Sequence, residues 1–370
     1  MQITASLPLD QFDDLLGRLP ADLDLDALAH ETKAIQRGRK VDHGAYLLRL
    51  ALARGPGGLS LSGTAAWATM LGFAPLSDPA IKYRLDKAVD FLAAIVNRQL
   101  AACAPGAAVH WPGRVLRASD GTCISKPGST GTDWRVHAVY DLGRAGFSHL
   151  DLTDKRGAEA IDRGAAVSGE VRIGDRNFAN AADLQRFREQ SGGQADYIVR
   201  LRWGGMSLRR PVGQDFDLIG HLGTLPHDTA PHEVMLEAKV GPLNPPLPVR
   251  VIIQRKSPAA AAATRKKLLD AASRKQKTPD ARSLVAAEFM ILGTSLPQDG
   301  YAADDILAVY RLRWQIELAF KRLKSLLHID KLPTFTQAAS RSWLYAHLIM
   351  ALLCDDLSQD VLESFPSGPD

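Results

Sequence analysis

Residues 310–324 read YRLRWQIELAFKRLK. Tyr310, Arg313, Glu317 and Lys324 follow one another at spacings of three, four and seven residues, so an α-helix of about 3.6 residues per turn carries all four on one stripe. Val309, Leu312, Ile316, Phe320, Leu323 and Leu327 form a second, apolar stripe, rotated by roughly a quarter turn. One side of this predicted helix packs; the neighbouring side offers a carboxylate flanked by a phenol, a guanidinium and an ammonium. That group suits a divalent cation held beside a phosphodiester. A solvated charged face with i,i+4 pairs would show the same spacing, and the choice between them lies upstream.

From Arg114 onward, RVLRASD, VHAVYDL, FSHLDLT and EVRIGD are short, β-branched or alternating runs between turn residues, predicting four strands. ANAADLQRFREQ then has a helical period and DYIVRLRW predicts a fifth strand. The order β, β, β, β, α, β predicts an α/β layer with a mixed sheet. Asp120 closes the first run and Asp175 the fourth, where charged side chains project into the crevice that α/β sheets use for their sites. One such aspartate is more often a turn residue bonding to its own backbone. Two of them with Glu317 are harder to dismiss, because three convergent carboxylates repel one another unless cations neutralise them. Hard oxygen ligands suit two Mg²⁺ ions, with Mn²⁺ as a substitute, roughly 3.5–4 Å apart. The predicted chemistry is phosphodiester cleavage and transfer, with Arg313 clamping a phosphate, Lys324 supplying a point charge and Tyr310 a hydrogen bond.

At this point the chain resembles the DDE transposases of bacterial insertion sequences, specifically the insertion-sequence-four group marked by Y-x₂-R-x₃-E-x₆-K. Tyr310, Arg313, Glu317 and Lys324 match that spacing, RASDGTCISKPGSTGTDWRVHAVYDL resembles the first-aspartate region and GDRNFAN the second. The resemblance covers roughly residues 58–350. It implies an RNase H-like catalytic core with a β-rich insertion between the fifth strand and the last catalytic helix. The 142 positions from Asp175 to Glu317 (317 − 175) require an insertion on length alone. It also implies Mg²⁺-dependent nicking of an element's ends, a hairpin made by the freed 3′-OH, and strand transfer into target DNA by a homodimer. In relatives a Trp on the strand leaving the insertion stacks on a flipped base. Here EFMILGTSLP offers Phe289, which either stacks on a base or fills the strand core. Trp203 is expected to pack, and Asn177 departs from the small residue common in relatives.

Residues 1–105 have helical periodicity and are expected to form a DNA-binding domain. LSLSGTAAWATMLGF and AIKYRLDKAVDFL read as two helices around a breaker with Pro75 and Pro79; a helix-turn-helix and a plain αα-hairpin both look like this. Lys33, Arg37, Arg39 and Lys40 add a basic cluster, and PGAAVHWPG marks a linker. The core is expected over 106–203 and 284–335, the insertion over 204–283 and a C-terminal helix over 336–370, with a shorter tail than relatives use for dimerisation. Between Arg255 and Lys277 eight basic residues, Lys266, Lys267, Arg274 and Lys275 among them, face one acid, Asp270. Ser257 and Pro258 suit the start of a helix through five alanines, which would lie along a DNA backbone or form a solubilising loop.

With 46% apolar residues and a net charge of +4 the chain can bury a large core and accept a polyanion. Cys103, Cys123 and Cys354 are isolated, and His221, His227 and His232 match no zinc spacing, excluding a disulfide framework and a zinc cluster. No apolar run is long enough to cross a membrane and no signal-peptide order opens the chain; a cytoplasmic, nucleoid-associated bacterial protein is expected. The alternatives to a transposase are a catalytically impaired DNA-binding descendant acting as an inhibitor and a stand-alone RNase H-like nuclease.

Overall fold

The structure is a computed structural model that describes residues 9–37, 40–103, 110–330, 332–334 and 336–364. Arg39 of the basic cluster, positions 105–109 of the linker and the last six residues lie outside the described residues. The chain forms two compact units, Met1–Gly106 with Gly121–Gly157 and Leu318–Asp370, and Ala107–Asp120 with Ala158–Glu317.

The first unit begins with α1 (Leu9–Leu16), α2 (Leu25–Glu31), α3 (Gly44–Arg54), α4 (Leu61–Met70), α5 (Asp78–Lys87) and α6 (Val89–Ala102). α2 and α4 start on capping side chains. The Asp24 carboxylate accepts from the Asp26 and Ala27 N–H groups at 2.9 Å, and Ser60 Oγ accepts from Gly63 N–H at 2.9 Å. Two expectations change here. Pro79 is no breaker but lies in the first turn of α5, where its missing N–H costs nothing, and AIKYRLDKAVDFL is split at Ala88 between α5 and α6.

β1 (Val115–Ile124) passes from the second unit into the first, followed there by β2 (Trp134–Asp141) and β3 (Gly146–Asp154). In the first unit the strands run β3-β2-β1, with β2 and β3 an antiparallel hairpin interrupted by a bulge at Val139 and Tyr140. In the second, β4 (Glu170–Gly174), α7 (Ala181–Gln190) and β5 (Asp196–Arg200) follow; β4 pairs in parallel with both β1 and β5. These are the five strands and one helix read from the sequence.

The insertion supplies β6 (Leu208–Arg209), α8 (Leu218–Thr224), β7 (His232–Ala238), β8 (Leu247–Arg255) and α9 (Pro258–Arg274); α10 (Ala281–Ala286) spans its end, and β9 (Phe289–Thr294) follows. The insertion does not make a separate β layer. β9 pairs antiparallel with β5 on one side and β8 on the other, so the second unit's strands run β1-β4-β5-β9-β8-β7-β6. Phe187, Tyr197, Val199, Val249, Val251 and Ile253 close its core, none more than 1% exposed, at roughly 1.5–3 kcal/mol for each large aliphatic side chain buried. Arg172 is also fully buried: its Nε donates to Glu170 Oε1 at 2.5 Å and its Nη1 to the carbonyls of Ile161, Arg163 and Gly164. One side chain thereby fastens the 161–165 loop to β4.

α11 (Ala303–Arg311), α12 (Trp314–Leu326) and α13 (Gln337–Ser364) complete the chain. α13 packs on α3, α5, α6 and β3 in the first unit, burying Leu344, Leu348 and Ile349. Among the described residues no helix is long and apolar enough to cross a membrane, and none of the three cysteines forms a disulfide.

Candidate active site

Strand register builds the floor of the site. Ala118 of β1 pairs with Ile173 of β4, so two residues further along each strand Asp120 stands opposite Asp175. Gly174 of β4 pairs with Val199 of β5, and one residue on, Asp175 stands opposite Arg200. With neighbouring strands about 4.8 Å apart, positions 120, 175 and 200 form one row where β4 ends. Asp120 does not close its strand as read from the sequence: β1 continues to Ile124. It is the partner β4 that stops, at Gly174, which leaves Asp120 beyond the parallel ladder.

The turn after β4 holds its conformation through local bonds. Asp175 Oδ1 accepts from Asn177 N–H at 2.7 Å, the backbone-bonding aspartate that the sequence reading weighed as the bland alternative, while its other oxygen has no bond from that turn. Asn177 Nδ2 donates to Glu159 at 2.9 Å, and its Oδ1 accepts from Arg202, so Asn177 is a bridge in the turn. A Cβ on Gly174 would stand 2.7 Å from Phe178 Cβ, closer than carbon atoms pack, so the residue before Asp175 must be glycine for this turn to close.

The segment 310–324 is not one helix. α11 ends at Arg311 and α12 starts at Trp314, and between them Leu312 N–H bonds to Val309 O at 2.9 Å, Arg313 N–H to Tyr310 O at 3.2 Å and Gln315 N–H to Leu312 O at 3.0 Å. These i→i−3 bonds tighten the chain for one turn. The stripe is therefore broken: Tyr310 is buried in α11, Arg313 sits half-buried in the turn, and Glu317 is exposed in the first turn of α12, where a helix N-terminus favours a carboxylate. The apolar stripe packs as read, with Val309, Ile316, Phe320 and Leu323 buried. Lys324 lies partly exposed seven residues along α12, in the first unit.

Arg313 Nη2 donates to Glu317 Oε1 at 2.5 Å. Burial disfavours the Arg313 charge, but Glu317, Tyr310 and Asp120 outweigh it and hold the guanidinium above its usual pKa. Burial raises the Tyr310 phenol, against the pull of Arg313 and Arg200. Burial lowers Arg200, which also feels Tyr310, Arg176, Arg313 and Asp175. Asp120, Asp175, Arg200, Tyr310, Arg313 and Glu317 thus share one electrostatic neighbourhood.

Other expected residues stand apart from it. Phe289 opens β9 inside the core, 3% exposed, with the Arg255 guanidinium 4.4 Å over its ring. The ring shows no free face to a base, and of its two readings packing is the one this conformation has. Trp203 packs against the same core, its Nε1 donating to Ser283 Oγ at 3.0 Å and Arg282 lying 4.1 Å over its ring. Ser257 does cap α9 and Pro258 is in its first turn. No residue of α9 is buried, and Lys266, Lys267, Arg274 and Lys275 face solvent. The eight-to-one basic excess shrinks, because Arg255 and Arg265 both pair with Glu288.

The donor chemistry of Asp120, Asp175 and Glu317, hard carboxylate oxygens with two of the three on adjacent strands, fits a divalent cation. The arrangement is incomplete: among the described residues no three His, Cys, Asp or Glu side chains lie close enough to hold a metal, and Glu317 is bound to Arg313.

Strand order β3-β2-β1 in one unit and β1-β4-β5 in the other, with Asp120 within β1 standing opposite Asp175 just past the end of β4, belongs to the RNase H-like class. Residues 111–353 match the transposase DDE domain family. InsL of insertion sequence element IS186A in Escherichia coli (strain K12) is 38% identical over 359 residues, 96% of each chain. The transposase for insertion sequence element IS421 of Escherichia coli is 38% identical over 360 residues, again 96% of each. The transposase for IS231C of Bacillus thuringiensis subsp. berliner is 33% identical over 216 residues, 58% of this chain and 40% of that one. A piggyBac transposase, solved by cryo-EM as a synaptic complex with hairpin DNA, has the same fold at a TM-score of 0.50 and 8% identity, covering 94% of this chain and 73% of that one. The chain belongs to the DDE transposase family, in its insertion-sequence-four group.

Proposed function

We propose that this transposase binds the terminal inverted repeats of its own insertion sequence as a homodimer, and cuts and joins DNA at the Asp120–Asp175–Glu317 site through a hairpin intermediate. The row of positions 120, 175 and 200 beside Tyr310, Arg313 and Glu317 carries this reading. The three carboxylates would hold two Mg²⁺ ions, or Mn²⁺, which when bound supply charge neutralisation at the attacking and leaving oxygens. Arg313, half-buried and kept charged, clamps a phosphate oxygen and must release Glu317 to do so. Tyr310 donates to the same phosphate, and Lys324 contacts the backbone two turns along α12. Lys266, Lys267, Arg274 and Lys275 track DNA from outside.

Residues 1–105 act as the helical DNA-binding domain, 106–203 with 284–335 as the catalytic core, 204–283 as the insertion and 336–370 as the C-terminal helix. The protein works in the cytoplasm on the nucleoid. The test is end cleavage on a duplex carrying the element's own ends, with Mg²⁺ or with chelator, for the native chain and Glu317→Ala. Mg²⁺-dependent nicks and hairpins lost in Glu317→Ala support the reading. Binding without cleavage by the native chain would replace it with the inhibitory DNA-binding descendant.

A further inference from the structure

Next to the catalytic row, in the second unit, lies a cavity of about 500 Å³ lined by Arg200, Lys256, Tyr310, Arg311, Gln254 and Thr264 with other residues of β8, α9 and α11, a size within the roughly 300–1,000 Å³ of small-ligand sites. No carboxylate is among its described lining residues. Arg255 also reaches it but is spent on Glu288. Lys256 Nζ donates to Ala287 O at 2.8 Å and Thr264 Oγ1 at 3.2 Å, both neutral acceptors, which leaves one of its three donors for a ligand. Arg200 is half-buried, and among the described residues no acceptor bonds its guanidinium. Ser257 and Ala260 bring the N-terminal turn of the 17-residue α9 to the same wall, the end of a helix that favours anions. Two partly buried cations held near each other against a helix N-terminus, with Asp175 acting on Arg200 from outside the cavity and no carboxylate among its described lining residues, have a repulsion that a ligand would relieve.

We propose that this cavity is a phosphate subsite, in which Arg200 and Lys256, backed by the α9 N-terminus, hold a backbone phosphate of the DNA strand lying along the candidate active site. The proposal rests on the transposase reading and adds a contact outside the Tyr310, Arg313, Glu317 and Lys324 set. It makes Arg200 and Lys256 positioning residues that fix the strand relative to Asp120 and Asp175.

The test uses the full chain and two readouts. Fluorescence anisotropy with a labelled single-stranded oligonucleotide of mixed sequence compares the native chain with Lys256→Met, Lys256→Arg and Arg200→Gln. Loss of one charged contact is expected to weaken binding about tenfold in Lys256→Met and Arg200→Gln, with Lys256→Arg restoring most of it. Equal affinity in all four would overturn the proposal. The native chain, whose folding is not in question, is also pulsed with acetic anhydride. Burial and the nearby Arg200 and Arg176 lower the Lys256 ammonium to about 8, so it should acetylate ahead of the α9 lysines. Protection of Lys256 by the oligonucleotide, and not by dAMP at equal phosphate concentration, assigns the strand. Equal protection by dAMP would overturn that in favour of a free nucleotide, and no protection by either would overturn the subsite. Cleavage without protection sinks the subsite alone, whereas protection without cleavage sinks the transposase chemistry and leaves the subsite standing.

Discussion

Two sets of cations in this chain differ in what surrounds them. α9 carries Lys266, Lys267 and Arg274 with no buried residue, whereas Arg313 and Arg200 are half-buried beside Asp120, Asp175 and Tyr310. An exposed lysine is hydrated and mobile, and contributes to DNA affinity mainly through counterion release. A half-buried guanidinium has lost part of its hydration and is fixed in direction, so it acts on a particular oxygen. Arg172 is the limiting case: fully buried, with its donors consumed by Glu170 and four carbonyls, it serves only the fold. Under the proposed function, degree of burial would separate structural, catalytic and DNA-tracking cations within one chain.

The largest effect should come from the carboxylate row. Asp175→Asn keeps the shape of the turn but removes the charge, and end cleavage should fall about 10³-fold, the loss of roughly 4 kcal/mol of transition-state stabilisation, while oligonucleotide binding stays near native; single-turnover kinetics with an anisotropy control reads both. Next, Arg172→Ala breaks a buried ion pair and frees the 161–165 loop, which should cost about 3–5 kcal/mol in urea unfolding. A loss in the range of a surface ion pair would mean that burial does not set the ranking.

In the first unit Asp355 accepts from Phe147 N–H at 3.1 Å, yet burial pushes its carboxyl up to about 6. A raised carboxyl binds its proton more tightly folded than unfolded, so its contribution is present below pH about 4 and is lost as pH rises through about 6. Asp355→Asn should then stabilise the protein by on the order of 2 kcal/mol at pH 8, with the gain vanishing towards pH 4; thermal melts across that range would show it. The smallest effect belongs to Lys266→Ala with Lys267→Ala. Affinity for DNA should fall severalfold at low salt, the slope of log K against log salt should shrink by nearly two, and cleavage of bound DNA should be unchanged.

The alternation in β1 to β5 and the helical period of α7 are local signals, which is why that part of the core was legible, as was the turn at Asp175; Asp120, read as closing its strand, lies within β1, which runs on to Ile124. The break between α11 and α12 was not, because Leu312 and Arg313 are ordinary helix formers and no Gly or Pro marks the turn. Arg200 was missed for a different reason: a lone arginine ending DYIVR has no motif, and only the register of β4 against β5 places it beside Asp175. Lys256 was hidden in a basic run, set apart from the α9 lysines by burial and from Arg255 by that residue's pairing with Glu288. The return of β9 between β5 and β8 depends on pairings between residues far apart in the chain, which local periodicity does not encode. Phe289, readable as stacking or packing, is buried here with Arg255 over its ring.

The most direct test compares single-turnover end cleavage at saturating protein in Arg313→Lys and in the Lys266→Ala, Lys267→Ala pair, both on a duplex bearing the element's own ends. With all DNA bound, the Arg313 variant should remain about 10²-fold slow, as expected when one transition-state contact is lost, and the α9 pair should cleave at the native rate. A native rate for Arg313→Lys with a slow α9 pair would contradict the assignment of chemistry to the half-buried cations.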